Sequence, residues 1–314
     1  MIPAHWRIQK CYILPQNPPN MKIIDGRAVS EEFKNVLKQE VTEYKEKYNR
    51  VPHLAAVLVG DNPASQAYVG NKVKSCEQVG FKSTLIHLPG DIQEDALLEH
   101  IERLNHDPDV DGFIVQLPLP RHIDEVKVNL AIDFRKDVDG FHPVNFGRMA
   151  QGLPCFLPAT PFGILLLLQR YNIETSGKHV VVIGRSNIVG TPVSILLSRK
   201  SDPGNATVTL VHSKTKNLTS FVSQADIIIA AIGIPKFVTA DMVKQGAVII
   251  DVGINRVENP NAEGKSMLVG DVDFNDVKDK CSHITPVPGG VGPMTVVGLL
   301  MNTFKSATKE IYKD

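Results

Sequence analysis

The chain has 314 residues, 43% of them hydrophobic and 22% charged, and 34 basic side chains balance 34 acidic ones to a formal net charge of zero. That length holds two domains at roughly 100–200 residues each in a globular protein. The missing basic excess argues against a nucleic-acid binder, and the longest aliphatic run, Ile164 to Leu168, falls far short of the roughly 20 residues a membrane helix needs. Cys11, Cys76, Cys155 and Cys281 form no C-x-x-C, so neither a zinc site nor a disulfide framework is expected, and a reducing, cytoplasmic setting is the default. Residues 1–20 are proline-rich and lack acidic side chains. They match neither a secretory signal nor a mitochondrial presequence and read as a disordered extension ahead of a functional start at Met21.

The first regular element expected is a helix capped by Ser30, with Phe33, Val36, Leu37, Val41, Tyr44 and Tyr48 on one face. L-A-A-V-L-V from Leu54 reads as a buried strand ending at Gly60, and Ala64 to Val79 as a helix. Tyr68 and Lys72 are four apart on that helix and share a face, beside an apolar stripe of Val69, Val73 and Cys76. On spacing alone a surface Tyr and Lys is the plainer reading. A strand from Ser83 and a helix from Gln93 to Asn105 follow, then the strand G-F-I-V-Q-L from Gly112. Gln116 lies near its carboxyl end, where an amide is either satisfied locally or lines a site. In K-D-V-D-G-F-H-P, Asp137 and Asp139 are either turn residues or polar groups of a site.

A Pro- and Gly-rich patch, Gly152 to Gly163, divides this half from the next. Strands are expected near His179, Thr207, Asp226, Ala247 and His283, and helices near Ile188, Leu218, Thr239 and Asp273. A last helix, from Met294 to about Ile311, follows and packs back on the first half. Strands alternating with helices predict parallel sheets covered on both faces. The fold class is therefore α/β, with two α/β domains flanking a cleft, the second a doubly wound Rossmann-type sheet. Ligands in such sheets bind at the carboxyl ends of strands.

V-V-V-I-G-R-S-N-I-V-G-T-P, Val180 to Pro192, is a strand that turns at Gly184 and enters a helix near Gly190. The usual dinucleotide loop reads G-x-G-x-x-G; here Ser186 holds the middle position, small and with a hydroxyl donor. An ordinary strand-to-helix turn is the alternative. The next strand, T-V-T-L-V-H, is followed by Ser213, Lys214, Thr215 and Lys216. An NAD site would place a carboxylate there. A hydroxyl with basic neighbours, together with Arg185, suits a 2′-phosphate and predicts NADP. T-P-V-P-G-G-V-G-P-M-T, Thr285 to Thr295, holds three glycines and three prolines and fits a backbone lying close to a ligand.

Together, Y-V-G-N-K (Tyr68 to Lys72), V-Q-L-P-L-P (Val115 to Pro120), D-V-D-G-F-H-P (Asp137 to Pro143), G-R-S-N-I-V-G (Gly184 to Gly190), D-V-G-I-N (Asp251 to Asn255) and the glycine loop from Thr285 resemble the bifunctional methylenetetrahydrofolate dehydrogenase/methenyltetrahydrofolate cyclohydrolase family, from about Met21 to the end. The resemblance implies oxidation of 5,10-methylenetetrahydrofolate by NADP⁺ and hydrolysis of the methenyl product to 10-formyltetrahydrofolate. It implies a folate-binding domain over 21–158, with the helix 294–314 packed on it, and an NADP domain over 159–293. Tyr68 would stack on the folate, Lys72 would be the polar catalyst, Gln116 would orient Lys72, and Asp139 would hold the pterin edge. Leu117, Pro288, Gly289 and Gly290 would contact the folate. Gly184, Arg185, Ser186, Ile188, Gly190, Ser213 and Ile254 would line the cofactor. Tetrahydrofolate derivatives are the implied partners, with no metal, no nucleic acid and no membrane, in a cytoplasmic homodimer joined through the cofactor domains. Two rival classes remain: another two-domain NADP dehydrogenase resembling shikimate dehydrogenase, and a non-catalytic dinucleotide sensor. Neither needs Tyr68, Lys72, Gln116 and Asp139 together with the glycine loop.

Overall fold

The computed structural model describes residues 22–259 and 266–313, so the extension at 1–20 lies outside the described residues. In chain order the elements open with β1 (Lys22–Ile23), α1 (Gly26–Tyr48), β2 (His53–Val59), α2 (Pro63–Val79), β3 (Lys82–Leu88), α3 (Glu94–His106) and β4 (Gly112–Val115). Next come α4 (Glu125–Ala131), α5 (Pro143–Gln151), α6 (Ala159–Arg170), β5 (His179–Ile183), α7 (Gly190–Ser198), β6 (Thr207–Val211), α8 (Leu218–Val222) and β7 (Ile227–Ala230). The remainder are β8 (Val248–Asp251), β9 (Asn255–Glu258), β10 (Ser266–Val269), α9 (Phe274–Val277), β11 (His283–Ile284) and α10 (Val291–Ala307). They fall into two compact units. The first is Ser30–Ala159 with Val296–Asp314; the second is Thr160–Thr295 with the described residues up to Val29.

The first unit is built on a parallel sheet in the order β3-β2-β4, with Leu54 opposite both Ser83 and Gly112. Every residue of β2 is buried, as expected for a central parallel strand covered on both faces. Ala55, Val57, Val59, Phe113 and Val115 form one core with Leu97, Ile101 and Leu104 of α3. α2 starts where Asn62 Oδ1 accepts from Ala64 N at 2.9 Å and Ser65 N at 3.2 Å, with Pro63 in the first turn. α1 buries Phe33, Leu37, Val41 and Tyr44, while Val36 and Tyr48, which the helical period assigns to the same face, stay exposed.

The second unit carries a six-stranded parallel sheet in the order β1-β11-β8-β7-β5-β6. Four features depart from the sequence pattern. A first domain beginning at Met21 is corrected by β1, which pairs with β11 through Lys22–His283 and Ile23–Ile284 and is followed by a bond from Ile24 N to Ile284 O. A cap at Ser30 is corrected too: α1 starts at Gly26, because Asp25 Oδ1 accepts from Arg27 N and Ala28 N, both at 3.0 Å. β9 and β10 form an antiparallel hairpin that the pattern does not announce, and the helix expected near Thr239 is only a 3₁₀ turn, Ala240–Met242. Strand order reverses around the first strand of each half: β5 lies between β6 and β7, and β2 between β3 and β4. The carboxyl ends of β2 and β5 are thus the topological switch points at which α/β sheets bind ligands.

Candidate active site

Lys72 is only 5% exposed, which removes the plain surface reading. α2 turns Val69, Cys76 and Val79 into the unit, and Lys72 lies on the same buried side. Its Nζ donates to Gln116 Oε1 at 3.1 Å and sits 5.3 Å from the centre of the Tyr68 ring. Gln116 leaves β4 with its backbone N bonded to Val57 O at 2.9 Å, and its Nε2 donates to Leu117 O at 2.7 Å. The amide is therefore both satisfied locally and aimed at the lysine, and its orientation is fixed because only Oε1 can accept. Burial pushes the Lys72 amine below its usual basic range, with Asp139 and the thiol of Cys76 working in the opposite direction. Burial likewise raises the Asp139 carboxyl, and the Lys72 charge pulls it back. Lys72 and Asp139 thus feel each other's charge.

The two aspartates of D-V-D-G do different things. Asp137 is buried; it accepts from Gly140 N at 3.1 Å, His142 N at 2.8 Å and Asn145 Nδ2 at 2.9 Å. Burial pushes its carboxyl up to about 7, against the pull of the His142 and Asn145 donors. Asp139 is half-buried and its backbone O accepts from Ala159 N at 3.2 Å. Among the described residues nothing hydrogen-bonds its carboxylate. A satisfied aspartate holding the turn and an unsatisfied one beside a lysine is the separation a substrate-binding carboxylate requires.

At the end of β5 the groups are arranged by backbone crowding. Gly184 has φ +116°, and a Cβ there would lie 2.0 Å from Ala231 O; a Cβ on Gly190 would lie 2.0 Å from Gly184 O. Both positions exclude a side chain, which explains the glycine spacing. Ser186 Oγ accepts from Val189 N at 3.1 Å and Gly190 N at 3.5 Å, closing the turn into α7. The hydroxyl's acceptor role is one the sequence pattern does not show. Ile183 stands opposite Val211, so Arg185 and Ser213 leave neighbouring strand ends two residues further on. Both are exposed, as are Lys214 and Lys216, and Arg185 makes no ion pair among the described residues. Ile188 and Ile254 are exposed apolar side chains near the ends of β5 and β8.

Two buried aspartates escape a reading of motifs. Asp251 accepts from Gly253 N, Asp271 N and Val272 N at 3.0, 2.9 and 3.0 Å. Asp271 accepts from Ile232 N, Gly233 N and Asn255 Nδ2 at 2.7, 2.9 and 2.8 Å. They tie the loops after β7 and β8, including the one that carries Ile254, and only the D-V-G-I-N motif hints at the first. Thr285 Oγ1 accepts from Asp251 N at 2.7 Å, anchoring the start of the glycine loop. Gly26 and Gly290 pack so closely that a Cβ on Gly26 would lie 1.8 Å from Gly290 O. The structure thus gathers Tyr68, Lys72, Gln116, Leu117 and Asp139 in the first unit. It gathers Gly184, Arg185, Ser186, Ile188, Gly190, Ser213, Ile254 and the Pro288–Gly289–Gly290 loop in the second. Among the described residues no group of three His, Cys, Asp or Glu side chains could hold a metal, and no helix is long and apolar enough to cross a membrane.

Two family models match the chain: the tetrahydrofolate dehydrogenase/cyclohydrolase catalytic domain over residues 24–139 and its NAD(P)-binding domain over 158–311. The bifunctional protein FolD of Flavobacterium johnsoniae is 60% identical over 283 residues, 90% of this chain and 96% of the relative. Among solved structures, the FolD methylenetetrahydrofolate dehydrogenase/cyclohydrolase of Campylobacter jejuni is 49% identical with a TM-score of 0.87, covering 92% of this chain and 99% of that one. The Trypanosoma brucei enzyme, solved with NADP cofactor and an inhibitor, is 37% identical with a TM-score of 0.88, covering 94% and 100%.

Proposed function

The chain belongs to the tetrahydrofolate dehydrogenase/cyclohydrolase family, and from that premise we infer how its residues divide the work. It is an NADP-dependent methylenetetrahydrofolate dehydrogenase and a methenyltetrahydrofolate cyclohydrolase. NADP⁺ supplies the hydride acceptor when bound. The exposed Arg185, Ser213 and Lys214 around the ends of β5 and β6, with no carboxylate there, fit the 2′-phosphate. The turn at Gly184–Gly190 fits the pyrophosphate through the amino end of α7 and the Ser186 hydroxyl. Ile188 and Ile254 offer apolar surface to the cofactor.

On the folate side, Tyr68 stacks on the substrate's aromatic ring and Asp139 accepts from the amino-pyrimidine edge, with Leu117, Pro288, Gly289 and Gly290 as further folate contacts. Hydride transfer then depends mainly on alignment. Hydrolysis needs more. Water attacks the cationic methenyl carbon, its oxygen becomes the formyl oxygen as one C–N bond breaks, and of its two protons one must reach the nitrogen that leaves while the other is released to solvent. A lysine whose charged form is disfavoured by burial takes up and returns a proton more readily than an exposed one. The observation that carries this reading is the buried Lys72 Nζ held by Gln116 Oε1 beside Asp139. A shikimate-dehydrogenase-like activity has no use for that arrangement with Tyr68, and family membership sets it aside. A cytoplasmic homodimer rests on the family resemblance, and light scattering of the purified chain tests the dimer.

The deciding experiment is an absorbance assay with methylenetetrahydrofolate and NADP⁺ or NAD⁺, followed by chromatography of the folates. Faster turnover with NADP⁺ and accumulation of 10-formyltetrahydrofolate are expected. Turnover of shikimate, or hydride transfer with no formyl product, overturns the reading.

A further inference from the structure

We propose that Tyr312, near the C-terminus, is a positioning residue for the folate-binding carboxylate Asp139, acting through Asn145 and Asp137. Tyr312 Oη donates to Asn145 Oδ1 at 2.6 Å. Asn145 is wholly buried, and its Nδ2 donates to Asp137 Oδ2 and to Phe134 O, both at 2.9 Å. Asp137 in turn holds Gly140 N and His142 N, the backbone immediately after Asp139. The chain of bonds therefore runs from the C-terminal segment to the turn that carries the substrate carboxylate.

The opposite side of that turn is held by the same C-terminal segment. Asn302 of α10 is buried, and its Nδ2 donates to Val138 O and Leu157 O, both at 2.8 Å. The Asp139 carboxylate itself has no hydrogen bond among the described residues, so beyond the attraction of the Lys72 charge its direction is set by its backbone. The Asn145 amide explains why the Tyr312 hydroxyl matters. With both Nδ2 protons committed, its oxygen faces Phe156 N at 3.3 Å, a long contact, and Tyr312 Oη at 2.6 Å. Without that hydroxyl, the amide loses its short partner and can rotate away from Asp137. Packing is separable from this role. The Tyr312 ring sits edge-on to Phe134 and Phe156, with centroids at 5.1 and 5.5 Å, and Arg148 lies over it at 5.3 Å. A phenylalanine keeps the two edge contacts.

The proposal rests on the folate reading of Asp139, and the test separates the two. Tyr312→Phe, Asp139→Ala and the double variant are assayed for dehydrogenase KM and kcat with each substrate, alongside melting temperature. A purely structural role moves stability and both substrates alike. Positioning of Asp139 raises the KM for methylenetetrahydrofolate in Tyr312→Phe about 5–20-fold, the scale of one hydrogen bond of about 1–1.8 kcal/mol, and leaves the KM for NADP⁺ near that of the parent even where the lost hydrogen bond lowers the melting temperature. In the Asp139→Ala background the tyrosine change adds no further rise, because interaction through a shared partner is non-additive. A silent Tyr312→Phe, or a rise that multiplies fully with that of Asp139→Ala, overturns the positioning role. An Asp139→Ala enzyme with unchanged folate KM overturns the folate reading of that residue and this proposal with it.

Discussion

At the end of β2 the fold buries side chains that carry charge; at the end of β5 it crowds the backbone and leaves Arg185 in solvent. Lys72 is enclosed and bonded to Gln116, whereas Arg185, Ser213 and Lys214 stand exposed around glycines that admit no Cβ. Both arrangements sit at the same place in an α/β sheet. The difference follows the chemistry proposed for the two sites. A group that must give and take a proton needs its pKa moved, and burial does that. A phosphate needs permanent charge and backbone donors, which work without burial.

The largest loss is expected at Lys72. Lys72→Gln keeps a polar group but has no titratable proton, so cyclohydrolase activity is expected to fall about 10²–10⁴-fold. Dehydrogenase activity, which rests on alignment, should survive in part. Measuring 10-formyl product and NADPH on the same sample decides it; equal losses of both activities would mean that Lys72 serves binding and not proton transfer.

Next in size is the pair in the D-V-D-G turn. Asp139→Ala should weaken folate binding by about 10–100-fold, since hydrogen bonds to charged groups contribute roughly 1.5–3 kcal/mol, with little change in melting temperature. Asp137→Ala should instead lower the melting temperature, and weaken folate binding only through the loosened turn that carries Asp139. It strands the three donors Gly140 N, His142 N and Asn145 Nδ2, at about 1–3 kcal/mol for each group left buried and unpaired. Folate titration and thermal melts of both variants check the assignment, and a fall in stability for Asp139→Ala with normal folate affinity would exchange the two roles.

How much of this is legible in the chain depends on which interactions are local. The alternation of β2, α2, β3, α3 and β4 shows in the hydrophobic pattern, and G-R-S-N-I-V-G marks its own turn, because those signals lie within a few residues. β1 does not show: two residues whose only partners are Lys22–His283 and Ile23–Ile284 carry no period. Nor does the buried amide of Asn302, on α10, which bonds Val138 O. Lys72 is the instructive case. Its spacing from Tyr68 is visible, but on that spacing alone a surface lysine is the plainer reading, because burial is set by β4 and Gln116 more than 40 residues away.

A smaller effect is expected where the charged side chains are exposed. Arg185 and Ser213 diverge from strands whose ends are in register, about 4.8 Å apart as neighbouring strands are. Arg185→Ala should cut catalytic efficiency with NADP⁺ by about 10-fold, the value of one charge-assisted contact, and leave NAD⁺ nearly untouched. Ser213→Asp should lower the NADP⁺ to NAD⁺ ratio further by repulsion. Because both side chains are in solvent, the Arg185 effect should also shrink at high salt, whereas the Lys72 effect should not. An unchanged cofactor ratio in both variants removes these residues from the 2′-phosphate.

The smallest effect concerns a carboxyl in the same unit as Lys72 that has no compensating charge. Burial, with Glu43 and Glu310 nearby, pushes the Glu40 carboxyl up to about 7, and its Oε2 has no hydrogen-bond partner among the described residues. Lys72 and Asp139 each lower the other's cost of burial; Glu40 has only like charges. The sign of its pH dependence follows. A carboxyl raised from 4.5 to about 7 in the fold binds an extra proton there across that window, so the unfolded state holds fewer protons and the stability slope is negative. The folded state is at full strength below 4.5 and loses stability as the pH rises to about 7, opposite to the behaviour of a salt-bridged carboxylate. Glu40→Gln, uncharged at every pH, should match the parent at pH 5 and melt about 2–4 °C higher at pH 8. That is the shift made by ~1 kcal/mol in a unit of this size, after discounting for the half of the side chain that solvent screens. An identical shift at both pH values would trace the gain to packing, and buried charge in this unit would then be tolerated without a partner.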